Sequence, residues 1–355
     1  MCEMERRPVR RRIILLILSS FVLVSATLLL EVTARMIGFG DPVIYYNAAF
    51  GGLRPLPNQK VERMKGASVT IDANGFRTSK SIEGADLRVL FVGDSVTWGG
   101  SSVDDSDLFT EVASDVIRSD GRTVYSMNAG VNGSSLMNQG DIYLARQDAV
   151  DVLVWLFPWT DTLRSYASAG FLWPATKKPR FALVEAGDHV IRSLWLTSFR
   201  EEGQSLDGEF VYPEVPGGYE SFFEGVLENR TARNIDALRR TVEVALGKET
   251  PVIVGITPER VGNELIPNED RATEQMEQLA AQGANILNVH QVLTSADQDI
   301  ASLYIDSIHF NREGHRVLGE SLGKFLRQVL QDHPKSAADS AMGMVDPLPK
   351  RHSVQ

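Results

Sequence analysis

The sequence predicts an α/β protein in which a doubly wound, flavodoxin-like sheet of five parallel strands carries helices on both faces. Five short apolar runs alternate with longer amphipathic segments from residue 87 onward. Strands that are separated by helices pair in parallel, and the helices then cover the two faces of one sheet. The runs are also continuous rather than alternating, which is typical of strands that are buried on both faces.

The apolar runs define the strands, and the periodic segments define the helices. The predicted strands are residues 87–94, 123–130, 150–157, 251–258 and 285–289. Helices are predicted at residues 106–121, 135–147, 228–246 and 268–283, and an amphipathic C-terminal helix follows residue 309. In the first helix, Leu108, Val112 and Val116 recur at helical spacing. Gly121 follows them as a typical helix stop.

The N-terminus combines a basic segment with an apolar run. Residues 1–12 contain five arginines and two glutamates, whereas residues 13–30 contain no charged side chain. As a helix with about 1.5 Å per residue, the apolar run spans roughly 27 Å, close to the thickness of the hydrocarbon layer. We therefore predict a cytoplasmic segment, 1–12, a transmembrane signal anchor, 13–30, and an exported remainder. A cleaved signal peptide is the alternative, because Val24-Ser25-Ala26 has the small residues of a cleavage site.

Composition excludes several classes of function. The formal net charge of the 355 residues is −10, and the basic first segment leaves the remainder more acidic still. Such a body repels phosphate groups, so nucleic-acid binding is not expected. Cys2 is the single cysteine, which excludes an internal disulfide and a cysteine-based metal site. The histidines show no ligand spacing and the chain lacks a nucleotide-binding glycine loop, so we expect neither a metal nor a cofactor.

The rest of the chain divides by composition. Residues 31–84 form a juxtamembrane lead-in rich in glycine and proline, with one predicted strand before a turn at Asn74-Gly75. The predicted sheet domain occupies residues 85–332. Within it, aromatic, glycine and proline residues interrupt the strand-helix rhythm at about 162–218, which we interpret as an insertion that forms a lid or a substrate wall. The tail, 333–355, has few large apolar residues and is predicted to be disordered.

A serine at a strand end and a histidine near the C-terminus suggest nucleophilic catalysis. Ser95 follows the first predicted strand, at the edge where open α/β sheets bind ligands. Asp306 and His309 are three residues apart, directly before the last helix. A serine hydroxyl needs an imidazole to take its proton, and the imidazole needs a carboxylate to fix its tautomer. Each residue alone also has a structural interpretation: Ser95 as part of an ordinary turn, Asp306 as a helix cap and His309 as a hydrogen-bonded loop residue.

Four short sequence blocks resemble, in this order, those of the SGNH hydrolases, also called GDSL-type esterases. They are "GDSVTWGG", "NAGVNGSS", "LFPWTDT" and "DSIHFNREGH", and the resemblance covers roughly residues 87–330. It implies that Ser95 is the nucleophile, that His309 is the base and that Asp306 orients this base. It also implies that the backbone N–H groups of Ser95 and Gly133 bind the oxyanion. The "ANGFRT" segment resembles the stretch that precedes this domain in exported, anchored members.

One block departs from the family pattern. The family usually has Gly-x-Asn-Asp where this chain has Pro158-Trp159-Thr160-Asp161, so Thr160 replaces an asparagine whose amide helps to hold the oxyanion. Loss of one such donor costs roughly 10²–10³ in rate. We expect Thr160, directly or through a water molecule, to take over the donor's role. The alternatives are that Asn128 or Asn132 is the donor, or that the site is weakened.

Several tryptophans lie near these blocks or in the insertion. Trp98, Trp159 and Trp173 are candidate substrate contacts, because the flat face of an indole suits the apolar face of a sugar ring. Packing is the alternative for each of them. Trp155 lies on a predicted buried strand and is assigned to the core.

The resemblance implies a membrane-anchored serine esterase with its catalytic domain on the extracytoplasmic side, either periplasmic or extracellular. The expected substrate is an acyl ester, above all an acetyl ester, of a carbohydrate or cell-envelope polymer. Two alternatives remain. One is an O-acyltransferase that uses the same triad to acetylate an envelope or exported polysaccharide, and the other is a non-catalytic binding module in which the altered block reflects lost activity.

Overall fold

A computed structural model describes residues 6–78, 80, 84–166, 174–191, 220–267 and 270–333. Its first element, α1 (Arg6–Met36), contains the predicted apolar run, whose side chains are exposed on all sides of the helix. The stretch Arg11–Met36 is long and apolar enough to cross a membrane, and the mean hydropathy of its most apolar part is 2.8. A signal sequence has the same properties, so the orientation and the cleavage of this helix stay predictions.

The lead-in forms two small antiparallel hairpins, whereas the sequence predicted a single strand there. The strands are β1 (Tyr45–Asn47) with β2 (Leu53–Pro55), and β3 (Gln59–Glu62) with β4 (Ser68–Ile71). Val69 and Ile71 are buried, and they pack in one small apolar cluster with Trp98, which follows the first strand of the main sheet. Arg77 then forms β-bridges with Ile71 and with Asn128, so the lead-in is attached to the edge of the main sheet.

The main sheet has five parallel strands. They are β5 (Leu87–Val92), β6 (Val124–Asn128), β7 (Val152–Phe157), β8 (Val252–Ile256) and β11 (Asn285–Ile286), and a short hairpin of β9 (Arg260–Val261) and β10 (Glu264–Leu265) follows β8. Their spatial order is β6-β5-β7-β8-β11, with parallel pairing throughout. This is the flavodoxin-like order, in which the chain reverses its winding direction at β5. The predicted doubly wound fold is therefore confirmed.

Helices cover both faces of the sheet. They are α2 (Ser95–Trp98), α3 (Phe109–Arg118), α4 (Leu136–Leu144), α5 (182–191), α6 (Glu220–Gly247), α7 (Asp270–Ala281), α8 (Val289–Thr294) and α9 (Arg312–Asp332). Apolar side chains of α4, α6 and α7 pack on one face, and those of α3, α8 and α9 pack on the other. α9 lies very close to α3, because a Cβ at Gly319 or Gly323 would come within 2.6 Å of Val112 or Val116.

The fifth strand is shorter than the sequence predicted. Residues 285–289 were expected to be extended, but β11 contains only two residues and α8 begins at Val289. Asn288 causes the early change, since its side chain accepts a hydrogen bond from the N–H of Gln291 and so caps the helix. An N-terminal cap of this kind outweighs the strand preference of the apolar residues beside it.

Of the predicted insertion, the structure describes residues 162–166 and 174–191. The second piece lies along the lead-in, where the N–H of Tyr45 donates to the carbonyl oxygen of Ala175 at 2.8 Å, and it ends in α5. Trp173 and the predicted disordered tail beyond residue 333 lie outside the described residues. The boundaries proposed for the lead-in, the domain and the insertion stay predictions.

Candidate active site

Ser95 lies at the turn between β5 and α2, where it is the first residue of the helix. Gly93 is required for this turn, because a Cβ there would lie 2.1 Å from Oγ1 of Thr97. Asp94 caps the short helix by accepting a hydrogen bond from the N–H of Val96 at 2.9 Å. The serine is thus held at the carboxyl edge of the sheet, which is the edge that open α/β folds use for ligands.

His309 and Asp306 lie next to Ser95 in one hydrogen-bonded line. Oγ of Ser95 is 2.8 Å from Nε2 of His309, and Nδ1 of His309 is 2.7 Å from Oδ2 of Asp306. The other oxygen of Asp306 accepts hydrogen bonds from the N–H groups of Ile308 and His309. Because an ionised carboxylate only accepts hydrogen bonds, Nδ1 carries the proton of the neutral imidazole and Nε2 is left to accept from the serine hydroxyl.

The loop that carries Asp306 and His309 is closed on itself just before α9. Tyr304 and Phe310 form an antiparallel bridge, and their ring centroids are 4.8 Å apart. The helix cap is Asn311, whose side chain accepts from the first turn of α9. Asp306 is therefore not the helix cap that its position in the sequence allowed, and its carboxylate is directed to the histidine.

The surroundings of His309 favour its protonated form. Burial lowers the pKa of the imidazole, but the hydrogen bond and the charge of Asp306, with a contribution from Asp94, outweigh burial and raise the pKa above 6.5. For Asp306, burial acts in the direction of a higher pKa. The hydrogen bonds from the ring and backbone of His309 and from the N–H of Ile308 outweigh it, so that the pKa of Asp306 is held well below its usual value. The pair is arranged to stabilise an imidazolium.

A second group of charges lies on the other side of Ser95. Oγ of Ser95 is 3.1 Å from Oδ2 of Asp94. The guanidinium of Arg164 is 2.9 Å from the same oxygen and 2.6 Å from Oδ1 of Asp161. Both carboxyl groups are fully buried. Burial, and then the neighbouring Asp94, raise the pKa of Asp161 well above its usual value against the opposing charge of Arg164.

A cavity of about 250 Å³ lies beside the serine hydroxyl. Ser95, Asp306 and His309 line it, together with Val96, Gly99, Gly100, Asn132, Ile305, Phe310 and His315. A larger cavity, of about 620 Å³, lies between α8 and α9 and contains none of the predicted site residues. Across the described ranges, no group of three or more histidine, cysteine, aspartate and glutamate side chains is arranged to hold a metal ion.

The turn after β6 brings two candidate oxyanion donors to this region. Gly133 has a left-handed backbone, with φ of 71°. Its neighbour Asn132 lines the cavity, and the buried Oδ1 of Asn132 has no hydrogen-bond partner in the part of the chain that the structure describes. Rotation of the amide by half a turn exchanges Oδ1 and Nδ2, so this position is able to present a donor.

The other candidate donors are placed differently. The amide of Asn128 is used by the backbone, because it donates to the carbonyl oxygen of Thr97 at 2.7 Å and accepts from the N–H of Gly130 at 3.0 Å. Thr160 is half-buried in the turn that follows β7. Among the described residues that line the cavity, Asn132 is present and Thr160 is not.

The tryptophans that the sequence singled out are mostly parts of the core. Trp98 is 1% exposed, and its ring lies 6.1 Å from that of Tyr45 and beneath the guanidinium of Arg77. Trp159 is half-buried and packs against the core cluster on the α4 face of the sheet. Trp155 is fully buried, as expected. We therefore assign Trp98 to packing in this conformation, and a substrate contact of Trp159 or of Trp173 stays a prediction.

Arg77 is a site residue that sequence reasoning missed. Its guanidinium is fully buried and pairs with Asp105 at 2.8 Å. It also donates to the carbonyl oxygens of Trp98, at the end of α2, and of Gly100 and Val103, which follow this helix. The arginine thus fixes the residues that follow the serine. The only signal in the sequence was its place in the "ANGFRT" segment.

His315 is a second residue whose position was not foreseen. It lies in the first turn of α9, is buried and lines the cavity. Its ring stacks on Phe109 with 5.7 Å between centroids, and its Nδ1 accepts from the N–H of Phe109 at 3.3 Å. Burial, and then the charges of Arg77 and His309, lower the pKa of His315 to about 3. The ring is therefore neutral at ordinary pH.

No family model and no curated protein matches this chain. Solved structures do match. Axe2, an acetylxylan esterase from Geobacillus stearothermophilus, is 16% identical, with 69% of this chain and 95% of Axe2 covered and a TM-score of 0.37. A member of the lipolytic protein G-D-S-L family from Veillonella parvula is 15% identical, with 68% and 99% covered and a TM-score of 0.39.

A lipase/acylhydrolase from Enterococcus faecalis also matches, with 15% identity, a TM-score of 0.37, and 70% of this chain and 99% of that protein covered. The G-D-S-L protein bears the name of the family that the four sequence blocks resemble. These TM-scores are low.

Proposed function

We propose that the chain is a serine esterase of the SGNH type, with Ser95 as nucleophile, His309 as general base and Asp306 as the group that orients the base. The observation that carries this proposal is the line of contacts from Oγ through the imidazole to the carboxylate, with 2.8 Å and 2.7 Å between successive partners. Ser95 and His309 are 214 positions apart in the sequence, so no local turn forces this contact. The arrangement meets the geometric requirement for an activated serine.

The proposed reaction has two steps. Nε2 of His309 takes the proton of Ser95 while Oγ attacks the carbonyl carbon of the ester, and Asp306 stabilises the imidazolium. The tetrahedral intermediate then collapses, and the alcohol leaves with the proton from His309. In the second step, a water molecule gives its proton to His309 and attacks the acyl-enzyme. Collapse of the new intermediate returns the proton to Ser95 and releases the acid.

We assign the oxyanion to the backbone N–H groups of Ser95 and Gly133, assisted by one side chain. The position of Asn132 on the cavity wall and its unpartnered amide oxygen support Asn132 in that role. Thr160 was the sequence-based candidate, and from its position outside the cavity lining it acts only through a bridging water molecule. A missing donor in such a hole costs roughly 10²–10³ in rate, so the two candidates are separable by kinetics.

The proposed substrates are short acyl esters, above all acetyl esters, of a carbohydrate or an envelope polymer. The cavity, at about 250 Å³, is smaller than the roughly 300–1,000 Å³ of pockets for drug-sized ligands, which favours a small acyl group. The site is open to solvent at His309 and Asp306, whose side chains are 32% and 51% exposed. A large alcohol portion, such as a sugar within a polymer, has room to extend into solvent there.

The proposed location follows from the N-terminus. The arginines that precede the apolar run favour retention of residues 1–12 in the cytoplasm, with the catalytic domain on the extracytoplasmic side of the membrane. This location suits a substrate that belongs to the cell envelope.

The open edge at His309 and Asp306 also supports a second candidate, an O-acyltransferase. A sugar hydroxyl that enters there takes the place of water in the second step, and the acyl group passes from Ser95 to the sugar. The test is to supply an acyl donor with and without a glycan acceptor and to weigh the products by mass spectrometry. Acyl transfer that exceeds hydrolysis favours the transferase, and free acid as the main product favours the esterase.

The central test is labelling by a fluorophosphonate, which reacts with activated serines, together with release of p-nitrophenol from its acetate ester. The wild type is expected to be labelled and active, and Ser95→Ala is expected to lose both properties. Ser295→Ala, which removes an exposed serine at the end of α8, is the matched control and keeps both. A wild type that is neither labelled nor active would support the non-catalytic binding module instead.

A further inference from the structure

Helix α5 directs one side, which contains Glu185, toward the protein and most of its large apolar side chains outward. On the protein side, Glu185 accepts a hydrogen bond from the N–H of Gly40 at 2.6 Å and pairs with Arg63 at 2.6 Å. The ring of His189 lies 5.7 Å from an aromatic ring of the lead-in, and Ala182 is fully buried. The spacing of Ala182, Glu185 and His189 places them on one side of the helix.

The opposite side of α5, which we call the outer face, is apolar except at its edge, where Asp188 is exposed. It consists of Leu183, Val184, Gly187, Val190 and Ile191, at the spacing of one helical stripe. Val184, Val190 and Ile191 are 54%, 55% and 64% exposed. Apolar residues that are exposed together on a helix mark a surface that something covers, because single exposed apolar side chains are ordinary but contiguous ones are not.

The position of α5 identifies what covers this face. The carboxylate of Glu31 accepts hydrogen bonds from the N–H groups of Ala182 and Leu183, at 2.9 Å and 3.0 Å. Glu31 is the first charged residue after the uncharged run of α1. Arg35, one turn further, pairs with Glu31 at 2.7 Å. The first turn of α5 is therefore fixed at the level where the apolar part of α1 ends, which is the level of the membrane surface if α1 crosses a bilayer.

We propose that α5 is an interfacial helix, with its outer face in the lipid and its polar side on the lead-in. Amphipathic helices of this kind lie in the plane of the membrane and bury their apolar face about 5–10 Å into the boundary between headgroups and acyl chains. The inference rests on the insertion of α1 and is independent of the proposed esterase activity. Its consequence is that the domain is held against the membrane by two elements, α1 and α5.

The neighbouring charges suit a lipid surface better than a second protein. Lys177 and Arg180 precede α5 and are exposed, and basic side chains at this depth interact with anionic headgroups. Lys178, between them, pairs with Asp41 at 2.8 Å. Phe181, 53% exposed, lies between them and the helix, as aromatic residues do at membrane interfaces. The apolar side chains of α1 are exposed as well, over the whole uncharged run.

The test measures lipid contact in the full chain. Cys2 is replaced by serine, and single cysteines are introduced at Val184, Ile191, Leu23 and Val261. Each is labelled with an environment-sensitive fluorophore and reconstituted into phosphatidylcholine–phosphatidylglycerol vesicles, with and without a nitroxide near the headgroup end of the acyl chain. Val261 is the matched control for Val184, because the two valines are 53% and 54% exposed. Leu23 reports the insertion of α1.

We expect quenching by the nitroxide lipid at Val184 and Ile191, and no quenching at Val261. Quenching at Leu23 without quenching at Val184 and Ile191 overturns the proposal, as does equal quenching at Val184 and Val261. Absence of quenching at all four positions overturns it as well, since α1 is then not inserted. A fluorescence change at Val184 that depends on protein concentration and not on lipid shows a second copy of the chain as the occupant.

Discussion

Arg77 and Asp105 form an ion pair in which 2.8 Å separate Nε from Oδ1 and both side chains are buried. The remaining nitrogens of Arg77 donate to backbone carbonyls of the segment after the candidate nucleophile. Arg77, a residue of the lead-in, therefore stabilises the backbone that follows Ser95. This relationship connects the stability of the fold to the geometry of the site.

Arg77→Met is expected to lower the free energy of unfolding by about 3–5 kcal/mol, because it leaves the buried carboxylate of Asp105 without its partner. The measurement is urea unfolding in detergent micelles, followed by tryptophan fluorescence. Arg316→Met removes an arginine that pairs with Glu313 and Glu320 on the surface, and it is expected to cost about 1 kcal/mol or less. Equal losses in the two variants would contradict the structural role of Arg77.

The pH dependence of ester hydrolysis is expected to follow His309. A protonated imidazole does not accept the proton of Ser95, so kcat/KM falls as pH falls through the pKa of His309, and the midpoint of this fall lies above 6.5. Asp306→Asn removes the carboxylate that raises this pKa, which moves the midpoint down, and it lowers kcat by about 10⁴ because the tautomer is no longer fixed. An unchanged midpoint in Asp306→Asn would show that another group is titrating.

Asn132 and Thr160 are expected to differ as oxyanion donors. Asn132→Ala should lower kcat by about 10²–10³ with little change in KM, since the donor acts on the charge that develops in the transition state. Thr160→Val keeps the shape of the side chain and removes its hydroxyl, and it is expected to lower kcat by no more than about tenfold. The comparison is made by steady-state kinetics on p-nitrophenyl acetate. A larger loss of kcat in Thr160→Val than in Asn132→Ala would indicate that Thr160 is the oxyanion donor.

His315 is expected to make the fold less stable in acid. Its pKa is about 3 in the folded chain, so between pH 6.5 and about 3 the unfolded state binds a proton that the folded state does not. Stability then falls with decreasing pH, by about 1.4 kcal/mol per unit for this one group.

In His315→Gln, this contribution to the slope disappears, although the absolute stability also changes. The measurement is urea unfolding at several pH values within that window. His333→Gln, at the exposed end of α9, is the control and is expected to keep the wild-type slope. A His315→Gln variant with the wild-type slope would contradict the buried, neutral state of the ring.

The fold was predictable because short segments of the sequence show the apolar patterns of buried strands and of helices. Each strand of the sheet is a run such as residues 87–94, whose side chains face the core on both sides, and the helices between them recur at helical spacing. The exception was the strand at residues 285–289, which a single polar residue, Asn288, converts into a helix start. A helix cap depends on one polar side chain, so the pattern of apolar residues does not predict where such a helix begins.

The candidate site was predictable where its members lie close in sequence or in a recognisable block. Asp306 and His309 are on one loop, and Ser95 is at a strand end, so sheet topology and block order sufficed to suggest their meeting. Arg77 and Arg164 pair with carboxylates that are distant in the sequence. No local sequence pattern predicts which carboxylate an arginine in a loop will contact. The burial of Trp98 beneath Arg77 was likewise not predictable, because the sequence does not show which aromatic rings are covered by distant residues.

The bonds of Arg77 also determine where a soluble version of this protein should begin. A truncated chain that begins near residue 85, just before β5, lacks β3, β4 and Arg77. It therefore loses the hydrogen bonds that the guanidinium of Arg77 donates to the backbone after Ser95. Such a truncated product is expected to misplace the reactive hydroxyl even when its sheet assembles. A start between α1 and β1 keeps these hydrogen bonds and both hairpins, and it removes the apolar helix α1.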